Sequence, residues 1–186
     1  MILTDWEIAE LCDIDRPMIS PFSKAIKEEG VLSYGLSGTG YDIRLGNKFT
    51  LIEKRHPYIY SPKSPHRNFH TEFTSEYPFF LEPYGCLLAV SYEKFIMPKT
   101  IVGICVGKST YARSFVNVLV TPLEAGWEGY LTIEIVNLQS NPVEIYPMEG
   151  IAQIIFHRTK TPDNDYGKRL GKYQGQESKP VLSMVK

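Results

Sequence analysis

From Gly40 onward the chain is written in short apolar alternations that Gly, Pro and Asn keep interrupting. The runs are Tyr41 to Gly46, Lys48 to Glu53, Cys86 to Tyr92, Ile101 to Val106, Val116 to Thr121, Gly129 to Leu138, Val143 to Tyr146 and Ile151 to His157. A side-chain period of two gives each run one face for a core and one face for something else. Many short strands at close spacing predict an all-β barrel or sandwich. The helical signal is confined to the start, where Thr4-Asp5-Trp6-Glu7 forms a capping box ahead of Ile8, Ala9 and Leu11. With 186 residues, 43% of them hydrophobic, the chain can bury one core, so a single domain over residues 1–186 is expected.

The same bulk features exclude several classes of function. A net charge of -1 provides no global positive field for coating nucleic acid, so any phosphate site must be local. No stretch approaches the roughly 18 apolar residues of a membrane span, and the first residues do not read as a secretory signal. A cytoplasmic protein with neither nucleic-acid nor membrane partners is expected. Cys12, Cys86 and Cys105 are three and widely spaced, which fits small buried thiols in a reducing compartment rather than a disulfide framework.

Chemistry-bearing residues concentrate between Gly107 and Asn137. The turn Gly107-Lys108-Ser109-Thr110-Tyr111-Ala112-Arg113 brings backbone N–H groups, two hydroxyls and two cations together, as a phosphate cradle would. It equally reads as a Gly-initiated helical turn with solvated polar residues. It is not a Walker loop, because Gly103 stands too close to Gly107 for that spacing. Glu134 lies in a strand-like run where Thr132, Glu134 and Val136 share one face and Leu131, Ile133 and Ile135 share the other. On an open surface such a glutamate is unremarkable. If that face closes over a ligand, the carboxyl loses water, its proton affinity rises, and it suits proton transfer.

Other segments are less telling. His70-Thr71-Glu72 matches half of a zinc nucleoside-deaminase signature, but the Pro-Cys-x-x-Cys half is missing, and His56 and His66 have no ligand spacing to a cysteine pair. No zinc is expected. Residues 55–76, rich in Pro and His, read as a long exposed excursion, a lid or an oligomer contact. Residues 159–186 are polar and could be disordered, although Tyr166, Lys172, Tyr173 and Gln176 are of the kind that order around a charged ligand.

Six pieces in order across the chain carry a resemblance. They are Ser33 to Leu36 leading to Gly40-Tyr41-Asp42-Ile43-Arg44-Leu45-Gly46, the turn Gly107 to Arg113, Val120 to Glu124 before Gly126 to Tyr130, Thr132 to Ile135, Glu149 to Gln153, and Gly171-Lys172-Tyr173-Gln174-Gly175-Gln176. Together they resemble the dCTP deaminase family of the trimeric dUTPase superfamily. The resemblance implies a mainly β fold, a distorted jelly-roll-like β-barrel (dUTPase-like, or β-clip) with a short N-terminal helix, assembled as a homotrimer. It further implies active sites at subunit interfaces, where dCTP is hydrolysed to dUTP and ammonia with Mg2+ bound through the triphosphate and no zinc.

By the same resemblance Glu134 is the proton shuttle, and Ser109 and Arg113 orient the water and the glutamate. The stretch Lys108, Ser109, Thr110, Tyr111, Ala112 and Arg113 binds substrate from the neighbouring subunit, and Glu124 sits at the sugar and base end. Thr132 and Ile133 offer backbone groups to the pyrimidine edge, while Tyr166, Lys172 and Gln176 close the tail, residues 159–186, over the phosphates. Six residues after Arg113 the family usually has His or Asn, and this chain has Leu119, with Asn117 on the same strand face. Alternatives are a bifunctional deaminase and dUTP pyrophosphatase, a dUTPase, a deaminase of a 5-substituted dCTP, and a non-catalytic nucleotide sensor.

Overall fold

The computed structural model describes residues 1–54, 59–64 and 69–184. The capping box forms as expected at α1 (Asp5–Glu10), where the Glu7 carboxylate accepts the Thr4 N–H at 3.0 Å. Among the described residues eleven strands follow: β1 (Ile19–Ser20), β2 (Gly35–Ser37), β3 (Gly40–Ile52), β4 (His70–Thr74), β5 (Phe79–Leu81), β6 (Cys86–Ile96), β7 (Ile101–Gly107), β8 (Val116–Leu119), β9 (Glu128–Asn137), β10 (Val143–Ile145) and β11 (Gly150–Arg158). A short helix, α2 (Ser109–Arg113), joins β7 to β8.

Nine strands form one sheet whose main path runs β7-β11-β3-β6-β9-β8, and β5 and β10 pair apart from it. The sheet curls until its ends meet. Gly103 of β7 and Leu123, beyond β8, exchange N–H to carbonyl bonds of 2.9 Å in both directions, and Gly107 packs against Val118 so closely that a Cβ there would lie 3.2 Å from the Val118 Cβ. The result is a barrel, one of the two architectures that the alternating runs predict and the one that the family resemblance implies, with Ile43, Leu45, Phe49, Ala89, Ile133, Ile135, Ile154 and Phe156 packed inside it.

Three differences from the sequence expectation have local causes. The runs over 41–46 and 48–53 are one strand, β3, whose pairing with β6 shifts register between Leu45 and Phe49. The pairing of β6 with β9 also shifts, between Val90 and Lys94; there the Ser91 hydroxyl accepts the Leu131 N–H at 2.9 Å and donates to the Glu93 carbonyl at 2.7 Å. The end of the presumed excursion is β4, paired with β3 from Lys48↔Thr74 to Ile52↔His70 and anchored by Phe73 stacked on Phe49 at 5.2 Å. His56 and His66 lie outside the described residues.

Candidate active site

The faces of β3, β6 and β9 that turn away from the core form the floor of a cavity of about 940 Å3, with Ile52, Cys86, Leu88, Thr132 and Glu134 on it. The alternation in β9 is as expected, with Ile133 and Ile135 fully buried and Thr132 and Glu134 half-buried on the other face. Glu134 is paired across the sheet with Leu88 on β6 and Leu119 on β8. With apolar neighbours on both sides, partial burial pushes its carboxyl above the ordinary value, opposed by a backbone hydrogen bond. The thiol of Cys105 on β7 is pushed up to about 12, mainly by burial and further by the charge of Glu134.

Two walls rise from this floor. One is the segment Thr121 to Glu124 with Trp127, and the other combines Glu53, Lys54, Tyr60, Ser61, Pro62 and Tyr84. Lys54 donates to the Pro83 carbonyl and lies 5.7 Å from the Tyr84 ring centroid, which ties the second wall together. Part of the Pro-rich excursion therefore builds the cavity, a role its irregular sequence does not disclose.

The tail is the roof. It is rooted at Asp165, which is 3% exposed and whose carboxylate accepts the Lys168 N–H at 2.9 Å and pairs with Lys99 at 3.1 Å. Those bonds hold its carboxyl below the usual carboxylate range, the Lys168 N–H contributing most. Tyr173 then donates its N–H to the Tyr166 hydroxyl at 3.1 Å, and the Trp127 indole donates to the Tyr173 carbonyl at 2.8 Å. At Gly129 the tail runs parallel to β9, with Gly175 N–H to Glu128 O at 2.8 Å and Tyr130 N–H to Gln176 O at 3.0 Å. That approach requires glycine: Gly129 has φ 148°, and a Cβ there would meet the Gln176 nitrogen at 2.8 Å. These bonds fasten residues 165–176 to the barrel.

The turn after β7 folds as α2, so the helical alternative describes its backbone. Lys108 pairs with Asp42 of β3 at 2.6 Å, with both side chains mostly shielded. Ser109, Thr110, Ala112 and Arg113 are exposed. Tyr111 is instead a core residue whose hydroxyl accepts the Tyr146 N–H at 3.1 Å, so its ring is a structural anchor for the turn.

The site residues expected from the sequence thus fall into two groups. Thr132, Glu134, Glu124, Tyr166 and Gln176 line the cavity, with Glu124 also ion-paired to Arg169 of the tail. Lys108, Ser109, Thr110, Ala112 and Arg113 lie outside its lining, Lys172 is exposed beyond it, and the Ile133 side chain points into the core. Sequence reasoning missed Trp127, Leu88, Tyr84 and Tyr60; the aromatic residues were visible as types, but nothing local tied them to Glu134. Asn117 and Leu119 share the exposed face of β8, and Leu119 is 51% exposed beside Glu134. Among the described residues no three His, Cys, Asp or Glu side chains group as a metal site, and no helix is long and apolar enough to cross a membrane.

Comparison with known proteins agrees with this architecture. A family model described as dCTP deaminase-like matches residues 2–159. A dCTP deaminase of Anaplasma phagocytophilum is 40% identical over 169 residues, which is 89% of this chain and 91% of that protein. The dCTP deaminase of Helicobacter pylori strain G27 is 44% identical over 166 residues, 88% of each. Among solved structures, the 2'-deoxycytidine 5'-triphosphate deaminase from Agrobacterium tumefaciens matches with a TM-score of 0.61 at 20% identity, over 86% of this chain. The match spans 48% of that longer chain, and it shows a shared fold.

Proposed function

This chain belongs to the dCTP deaminase-like family, and on that premise we propose that it hydrolyses the 4-amino group of dCTP to give dUTP and ammonia. The observation that carries the reading is Glu134, a carboxylate held between two leucines at the floor of a roofed cavity. Water adds to C4 of the cytosine while Glu134 takes its proton and passes it to N3, so that the C4–N3 double bond becomes single and C4 carries both a hydroxyl and the amino group. Glu134 then takes the proton of the C4 hydroxyl and delivers it to the amino group; the C4–N4 bond breaks, C4=O forms, and ammonia leaves. A carboxyl whose affinity for protons is raised by burial suits both halves of that transfer. Mg2+ arrives on the triphosphate as part of the substrate, and the carboxylate does the proton work without zinc.

The second half of the site comes from another copy of the chain. Ser109, Thr110 and Arg113 form a hydroxyl- and guanidinium-bearing turn that faces outward beside the Lys108–Asp42 pair, and around it Ile104, Val106, Phe115 and Leu119 leave an apolar face exposed. Such a face is suited to burial against a second subunit, and in a homotrimer the turn meets the neighbouring cavity. There Ser109 and Arg113 orient the water and Glu134, the turn's N–H groups and Lys108 hold the triphosphate, and Tyr166, Lys172 and Gln176 close over it. Binding energy spent on the phosphates positions C4 for attack.

Incubation of the protein with dCTP and Mg2+, with ammonia, dUTP, dUMP and pyrophosphate measured separately, tests this reading. Ammonia and dUTP are expected in equal amounts. Ammonia with dUMP and pyrophosphate marks a second activity at the same site, where Glu124 lines the wall, and absence of ammonia overturns the proposal.

A further inference from the structure

Thr132 stands on the same face of β9 as Glu134, two residues before it. Its hydroxyl oxygen accepts two hydrogen bonds from the tail, one from the Gln176 side-chain amide at 2.6 Å and one from the Val181 N–H at 3.1 Å. The ties of Trp127, Glu128 and Tyr130 reach only as far as Gln176. Beyond it, Val181, Leu182 and Ser183 still line the cavity, and this oxygen is what joins them to the strand that carries Glu134. Lys48 donates to the Ser178 carbonyl at 2.8 Å, the Ser183 hydroxyl to the Pro62 carbonyl at 2.8 Å and the Met184 N–H to the Tyr173 hydroxyl at 3.2 Å, so these ties secure the tail to β3, to one wall and to itself rather than to β9.

We propose that Thr132 is a positioning residue for deamination: its hydroxyl latches the end of the tail over the cavity, and the closed roof keeps water from Glu134. The proposal rests on the deaminase reading and adds to it a physical coupling between tail closure and the proton affinity of the catalytic carboxyl. Opening the roof rehydrates Glu134, which favours its charged form and lowers the pH at which it ionises. Other titratable groups line the same cavity or lie behind its floor. Cys86 and Cys105 come from the floor and the strand behind, and Glu53, Lys54 and Glu124 from the walls. Lys54 is held by the Pro83 carbonyl and Glu124 by Arg169, while Tyr60, Tyr84, Tyr166 and Tyr173 complete the titratable lining.

The test compares Thr132→Val, which keeps the shape and removes the acceptor, with Thr132→Ser, which keeps the hydroxyl. In the full-length protein, amide exchange over residues 176–184 should accelerate roughly tenfold in the valine variant, as loss of two partly buried hydrogen bonds implies, and stay near wild type in the serine variant. The acid limb of kcat/KM for ammonia release should begin above the ordinary carboxylate range in the wild-type enzyme, move to lower pH in Thr132→Val, and return in Thr132→Ser. A merely structural threonine would lower thermal stability without moving that limb. Unchanged exchange in the valine variant overturns the latch, and faster exchange with an unmoved limb overturns the coupling. If the wild-type enzyme releases no ammonia, the deaminase reading and the coupling fail together, and the exchange data alone judge the latch.

Discussion

Replacing Glu134 with glutamine is expected to lower ammonia release from dCTP by about 10²–10⁴-fold or more, the span associated with loss of a positioned acid–base group. Glutamine fills the same space between Leu88 and Leu119, so the walls and roof of the cavity remain in place. Titration calorimetry with Mg2+-dCTP should therefore record affinity within a small factor of wild type. Substrate bound without turnover separates a chemical role from a binding one. Turnover at the wild-type rate in Glu134→Gln would remove the carboxylate from the mechanism.

The largest effect on stability is expected at Glu93. Its side chain is fully buried and accepts both the Arg44 backbone N–H at 2.9 Å and the Arg44 Nε–H at 2.7 Å. Arg44 is in turn flanked by the Tyr34 and Tyr92 rings at 4.6 and 4.1 Å. Burial pushes the Glu93 carboxyl up, against the pull of Arg44, which is the mark of a pair whose desolvation is only partly offset by attraction. Glu93→Ala leaves a shielded guanidinium without its partner and should cost about 3–5 kcal/mol. For a chain of this length the unfolding midpoint should fall by on the order of 10 °C, read by scanning calorimetry. Replacing Arg44 and Glu93 together with Met and Leu should cost less than Glu93→Ala alone, because no charge is then stranded. A double variant less stable than the single one would contradict that account.

Much of the barrel was legible because it is built from period-two burial, and β6, β7, β9 and β11 fall where the alternation puts them. The strands that escaped are short or polar. β4 has one apolar anchor, Phe73, and β1 has two residues, so neither offers a period to read. The shifts near Gly46 and Ser91 depend on hydrogen bonds between residues distant in sequence, such as Ser91 with Leu131, which local patterns do not encode.

At the site, the face shared by Thr132 and Glu134 could be read from parity alone, and so could that of Asn117 and Leu119. What covers those faces could not. Tyr60, Tyr84 and Trp127 reach the cavity through chain reversals, and the hold of the tail on Thr132 joins residues 44 and 49 positions apart. The contacts of the tail with its own barrel, through Gly129 and the Asp165 root, join residues that composition alone does not bring together.

One active site is expected to combine Glu134 of one subunit with Arg113 of its neighbour, and mixing two inactive variants tests it. Glu134→Gln and Arg113→Ala proteins are each expected to be nearly silent in ammonia release from dCTP. Unfolded, mixed in equal amounts and refolded together, they should recover about a quarter of wild-type activity, the share of interfaces in a random cyclic assembly that receive both intact residues. If the mixture recovers nothing while assembling as the wild type does, the two residues do not meet across a subunit boundary and the interfacial site is wrong.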